Sequence, residues 1–133
     1  MKARDLMLGD WVRVTDDDTD ESFVGRVSEF EQVDKRYYNV HVSDDEDSFG
    51  YPFDEDCIEP IPLTPEILEK NGWERDDERN FWIHDSGFAI EDGCDGRNRY
   101  WWRAGDIPVA PINYVHDLQH CLKVSCVQKE IVL

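Results

Sequence analysis

The chain has 133 residues, 31 acids against 14 Lys and Arg for a formal net charge of −17, and 40% apolar residues that include five Trp, five Tyr and six Phe. That length suits one domain, or one domain built from two small halves, and buries a core without needing disulfides or metal. The charge has the wrong sign for direct binding to phosphate backbones or to an anionic membrane surface, and no run approaches the ~20 apolar residues of a membrane helix.

The acids are unevenly spread: residues 1–60 hold 18 acids and 6 bases, net −12, and residues 61–133 hold 13 and 8, net −5. The four cysteines, Cys57, Cys94, Cys121 and Cys126, contain no Cys-x-x-Cys pair, and the opening Met1-Lys2-Ala3-Arg4 leads into no apolar signal region. These features predict reduced thiols in a cytoplasmic protein.

Taken in order, the predicted elements begin with short strands over residues 10–14, 23–30, 37–42, 49–51 and 57–61, separated by acidic loops. Gly25 inside the second is read as a bulge or a close approach. Five strands at about ten-residue spacing predict a small antiparallel barrel over residues 1–62. Its expected interior is Trp11, Val12 or Val14, Val27, Val40 and Ile58. Leu8-Gly9-Asp10-Trp11-Val12 is similar to the first turn of SH3-like barrels.

Pro60 and Pro62 end that series, and Thr64-Pro65-Glu66 has the hydroxyl cap, first-turn proline and acid of a helix start. Asn71-Gly72 ends the helix, with Trp73 placed to pack back on its last turn. Strands are expected over 73–75, 80–84, 87–91 and 100–103, with Asp85-Ser86-Gly87 as a hairpin turn. The longest helix is predicted over 112–125, with Tyr114, Val115, Leu118, Leu122 and Ser125 on one side. Residues 130–133 end as a strand or an extended tail. The expected class is α+β: the barrel-like half, then residues 63–133 as a sheet with a packed C-terminal amphipathic helix.

Few residue groups carry chemistry. His116-Asp117-Leu118-Gln119-His120 places two histidines at i and i+4, as in His-Glu-x-x-His zinc hydrolases. However, Asp is one methylene shorter than the catalytic Glu, no third ligand has a recognisable spacing, and Lys123 shares the face. Boundary histidines are the simpler reading. Asp16-Asp17-Asp18-Thr19-Asp20-Glu21 lacks the glycine and the bidentate Glu of a calcium loop, with Val27 at the twelfth position. Tyr100 and Trp102 face one side of a strand and Trp101 the other, so these aromatics and Trp73 and Trp82 read as core rather than as a stacking platform. Gly93-Cys94-Asp95-Gly96 precedes a strand and makes a poor phosphate cradle. Nothing in the sequence points to an enzyme, a cofactor or a bound metal.

Three segments occur in order: Leu6-Met7-Leu8-Gly9-Asp10-Trp11-Val12, then Pro60-Ile61-Pro62-Leu63-Thr64-Pro65-Glu66-Ile67-Leu68 with Asn71-Gly72-Trp73, then Val115-His116-Asp117-Leu118-Gln119-His120. Together the chain resembles a group of uncharacterised small proteins of gut-type bacteria and their phages or mobile elements. Those proteins read Pro-Ile-x-Leu-Thr and later Val-His-Gln-Leu-Gln-Asn. Asp117 and His120 depart from that pattern, whereas His116, Leu118 and Gln119 match it. The resemblance implies a context and no mechanism.

The functional expectation is a non-enzymatic protein-interaction module that meets a basic face of a protein partner. Its surface would be Asp16, Asp17, Asp18, Asp20 and Glu21, Asp44, Asp45, Glu46 and Asp47, and Asp54, Glu55 and Asp56. The alternatives are the zinc hydrolase at His116 and His120, and an acidic mimic of nucleic acid.

Overall fold

In the computed structural model, which describes residues 1–44, 50–93 and 96–133, short alternating segments pair into two antiparallel five-stranded sheets. Asp45, Glu46 and Asp47 of the expected surface, and Cys94, lie outside the described residues. The chain divides into two compact units, Met1–Ile61 and Pro62–Leu133.

In the first unit, β1 (Trp11–Thr15), β2 (Ser22–Asp34), β3 (Tyr37–Ser43), β4 (Tyr51–Asp54) and β5 (Ile58–Pro60) lie in the order β4-β3-β2-β1-β5. Short 3₁₀ turns occupy Ala3–Asp5 and Glu55–Cys57. Alternation puts Val12 and Val14 of β1 inward, together with Val27, Val40, Val42 and Ile58. Each such side chain contributes about 1.5–3 kcal/mol by leaving water. The same alternation turns Trp11 to the other side, where it is half-buried under the Arg26 guanidinium at 4.6 Å. Trp11 is therefore not the interior residue the strand pattern suggested.

Gly25 is a close approach. A Cβ there would stand 2.6 Å from the Ser43 carbonyl oxygen and 2.8 Å from Val42 Cγ1. The register shifts of β2 fall later, between Val27 and Glu29 and between Gln32 and Asp34. Such bulges bend a long strand. Among the described residues no pairing joins β4 to β5, so an open antiparallel sheet is found where a closed barrel was expected.

The second unit opens with α1 (Pro65–Lys70). Thr64 Oγ1 accepts from the Ile67 amide at 3.3 Å, and Pro65 occupies the first turn, where its missing N–H costs nothing. Gly72, at φ +85°, takes the left-handed cap, and the Gly72 and Trp73 amides donate to the Glu69 and Leu68 carbonyls. This pair of bonds is a Schellman closure.

A second meander follows: β6 (Glu74–Asp76), β7 (Phe81–Ile83), β8 (Ala89–Asp92), β9 (Tyr100–Ala104) and β10 (Ile107–Ile112), in the order β10-β9-β8-β7-β6. One face buries Trp82, Ile90, Tyr100 and Trp102, while Trp101 is half-buried on the other. Trp73 meets Trp102 edge-on at 5.9 Å, and Phe88 stacks on Trp102 at 5.0 Å.

The final helix, α2 (Val115–Val124), starts three residues later than its periodicity suggested, because residues 107–112 pair with β9 as an edge strand. Pro108 and Pro111 fit there, since an edge leaves strand amides unpaired. Val115, Leu118 and Leu122 are buried as expected, but His116 joins them and Tyr114 is exposed. After a turn at Ser125 and Cys126, the last residues, including 130–133, form a tail rather than a strand, with Ile131 1% exposed.

Candidate functional site

The acids separate into structural and solvent-facing groups. Within residues 16–21, Asp16 is half-buried: its Oδ1 accepts from the Asp18 amide at 3.0 Å, and its own amide donates to the Glu21 carbonyl at 2.9 Å. Asp20 takes a left-handed φ of 54°, which Asp tolerates better than most residues. Asp17, Asp18, Asp20 and Glu21 are exposed, as are Asp44 and Asp56. Asn39 pairs with Asp54 and Val42 with Tyr51, so Asp44, the residue after β3, lies at the other end of the β3–β4 pair from Asp54.

Two of the three runs converge. Val14 pairs with Ile58, which brings the end of β1 beside the turn that carries Cys57. Burial first, then the carboxylates of Asp17, Asp54, Asp16 and Asp56, push the Cys57 thiol above its ordinary range. A thiol held neutral in this way is a poor nucleophile. Among the described residues, no Lys or Arg forms an ion pair with Asp17, Asp18, Asp20, Glu21, Asp44 or Asp56.

Asp54 and Glu55 have internal work. The Tyr37 hydroxyl and the Asp56 amide donate to Asp54, holding its carboxyl below the usual range, and the same bond pushes Tyr37 up to about 12. Glu55 is only 6% exposed; its two oxygens accept from the Ala3 amide at 3.1 Å and the Tyr38 amide at 3.2 Å. It ties the N-terminal segment to β3. Nothing in Asp54-Glu55-Asp56 as a string distinguishes the middle acid, because its inward direction comes from the 3₁₀ turn.

The His116 and His120 rings lie 5.5 Å apart, edge to face, and His116 stacks on Tyr114 at 5.7 Å. Asp117, which would have to act as a base, instead caps α2: Oδ2 accepts from the Asn113 and Tyr114 amides at 3.0 Å each. Among the described residues no group of three His, Cys, Asp or Glu side chains is arranged to hold a metal. Burial, then Asp117, raise the neighbouring Cys121 thiol to about 11.

A polar cluster that the sequence did not signal secures the tail. Asn71 Nδ2 donates to the Ile67 and Val132 carbonyls, and Asn71 Oδ1 accepts from the Val132 amide, all at 2.7 Å. Lys129 Nζ donates to the Asn71 carbonyl and to His84 Nε2, the latter at 2.7 Å. On the other side of the ring, His84 Nδ1 accepts from the Ser86 amide at 3.1 Å and lies 2.9 Å from Ser86 Oγ. Burial first, then the Lys129 charge, lower the His84 pKa, against a smaller pull from Asp85.

The native state thus holds fewer protons on His84 than the unfolded chain below the ordinary value of about 6.5. Attachment of the tail is expected to weaken as pH falls from about 7 through that range, read as faster amide exchange at Ile131 and Val132. His84→Gln should flatten the dependence; an unchanged profile in that variant would assign the effect to another group.

No helix among the described residues is long and apolar enough to cross a membrane. A scan against protein-family models matched none, and searches of the curated proteins and of the solved structures returned no match.

Proposed function

We propose that this chain is a non-enzymatic protein-interaction module that meets a basic face of its partner with the solvent-facing acids of residues 16–21, together with Asp44 and Asp56. The observation that carries this reading is the convergence of two acidic runs around Cys57, whose exposed members Asp17, Asp18, Asp20, Glu21 and Asp56 form no ion pair with a Lys or Arg among the described residues. Glu55 leaves the surface proposed from the sequence because it is buried, and Asp54 serves mainly to hold Tyr37. An SH3-like relationship for Met1–Ile61 is supported by the order β4-β3-β2-β1-β5 and by the long, bulged β2. The phage or mobile-element context rests on the three sequence segments that resemble that group. Cytoplasmic placement draws support from the free thiols of Cys57, Cys121 and Cys126.

The test compares the wild type with a variant carrying Asp16, Asp17, Asp18 and Asp20 all replaced by Asn. Asn at position 16 keeps the acceptor that its turn uses. Capture of a basic protein from host lysate is expected to disappear in the variant and in high salt, as the Debye length contracts from ~30 Å at 0.01 M to ~3 Å at 1 M. The variant should also melt higher at low salt, because like charges no longer repel. Competition by duplex DNA would favour the nucleic-acid mimic, and equal capture by the variant would remove these loops from the interface.

A further inference from the structure

Within this acidic chain the bases of the first unit are not scattered evenly. Residues 1–60 contain six, Lys2, Arg4, Arg13, Arg26, Lys35 and Arg36. Three of them, Lys2, Arg4 and Arg36, line one open hollow of about 290 Å³ with Ala3, Tyr38 and Glu55. None of the three side chains is engaged in an ion pair or side-chain hydrogen bond with a described residue. In the second unit, by contrast, Arg75 and Arg103 hold Asp92 and Glu91 at 2.6 Å each, and Arg79 approaches Asp76 at 3.8 Å. Cations without an ion pair in a chain with 31 acids, gathered around one concavity, concentrate positive potential there, even though Lys2 also acts on Asp54 from a distance.

The walls are held in place. Glu55, in the floor, spends one lone pair of each oxygen on the Ala3 and Tyr38 amides, and so fixes the N-terminal turn against β3. Arg36 leaves a tight turn closed by its own amide donating to Asp34 Oδ1 at 2.7 Å. Two guanidinium groups offer planar pairs of donors that match phosphate oxygens, and Lys2 adds a point charge. Counting Glu55, the lining carries a net charge of +2, which complements a phosphate dianion. A polyanion such as nucleic acid would also meet the acidic loops, whereas one phosphate group fits inside the hollow.

We infer that the hollow formed by Lys2, Arg4, Arg36 and Tyr38 binds a single phosphate group, either as inorganic phosphate or as a phosphate monoester. This assignment does not depend on the acidic docking surface. The test is titration of the full chain with inorganic phosphate and, separately, with O-phosphoserine, each against sodium chloride of matched ionic strength, followed by backbone amide NMR. Saturable shifts are expected at Ala3, Arg36 and Tyr38.

The double variant Arg4→Gln/Arg36→Gln should weaken binding by at least about tenfold, since each charge-assisted bond lost is worth roughly that much. Lys35→Gln, in the same turn but outside the lining, should leave affinity within about twofold. Both variants replace exposed side chains, and unchanged shifts elsewhere will confirm that they fold. Equal affinity for the two ligands identifies the free ion as sufficient; tighter binding of the ester shows that the space beside Tyr38 takes the organic group. Shifts that match those in sodium chloride, or affinity retained in the double variant, would overturn the assignment.

Discussion

Trp73→Ala is expected to destabilise the chain by about 3–5 kcal/mol, the range for removing a large aromatic from a core that cannot collapse around the gap. Trp73 is 2% exposed, meets Trp102 at 5.9 Å and lies 5.0 Å from the His84 ring. Its backbone amide closes α1 on the Leu68 carbonyl, and that bond survives the substitution, so the loss measures packing. Trp73→Phe should cost less than half as much. It keeps one ring in place and discards an indole N–H that finds no acceptor among the described residues. Urea midpoints at constant m value provide the comparison. An Ala variant within about 1 kcal/mol of wild type would mean that the second unit does not rely on this contact.

Glu55→Ala should be the costliest change among the acids, about 2–4 kcal/mol, because it strands the amides of Ala3 and Tyr38 where water reaches them poorly. Glu55→Gln retains one acceptor oxygen and should fall between the Ala variant and wild type. Asp17→Asn and Asp56→Asn, at exposed positions, are expected to stay within about 0.5 kcal/mol. The four substitutions measured together separate a structural carboxylate from solvent-facing ones in the two acidic runs beside Cys57. If Glu55→Ala matched the exposed pair, the N-terminal turn would have to be held by other contacts. The hollow beside Tyr38 would then lose its proposed support.

Local signals accounted for most of the elements. Thr64-Pro65 and Asn71-Gly72-Trp73 each encode a helix terminus within a few residues, and both ends form as those residues dictate. Alternation placed Val12, Val14, Val27, Val40 and Ile58 in one core and set Trp101 opposite Tyr100 and Trp102. The same rule, applied without knowing which parity faced inward, misplaced Trp11. Periodicity also ran the last helix back to residue 112, since Ile112 suits a helical stripe and a strand alike. Pairing with β9 decided between them.

By itself the sequence determined the α+β class, the acidic balance of Met1–Ile61 and the ends of α1, because composition, alternation and caps act over a few residues. Tertiary structure alone decided which acids are buried, which loops share Cys57, and that Asn71, His84 and Lys129 meet at the tail. Those outcomes depend on partners 13 to 61 positions apart in the chain, such as His84 from Asn71 and Val132 from Asn71. No pattern of neighbouring residues specifies contacts of that separation; they arise only when the sheets and turns have fixed the direction of each side chain.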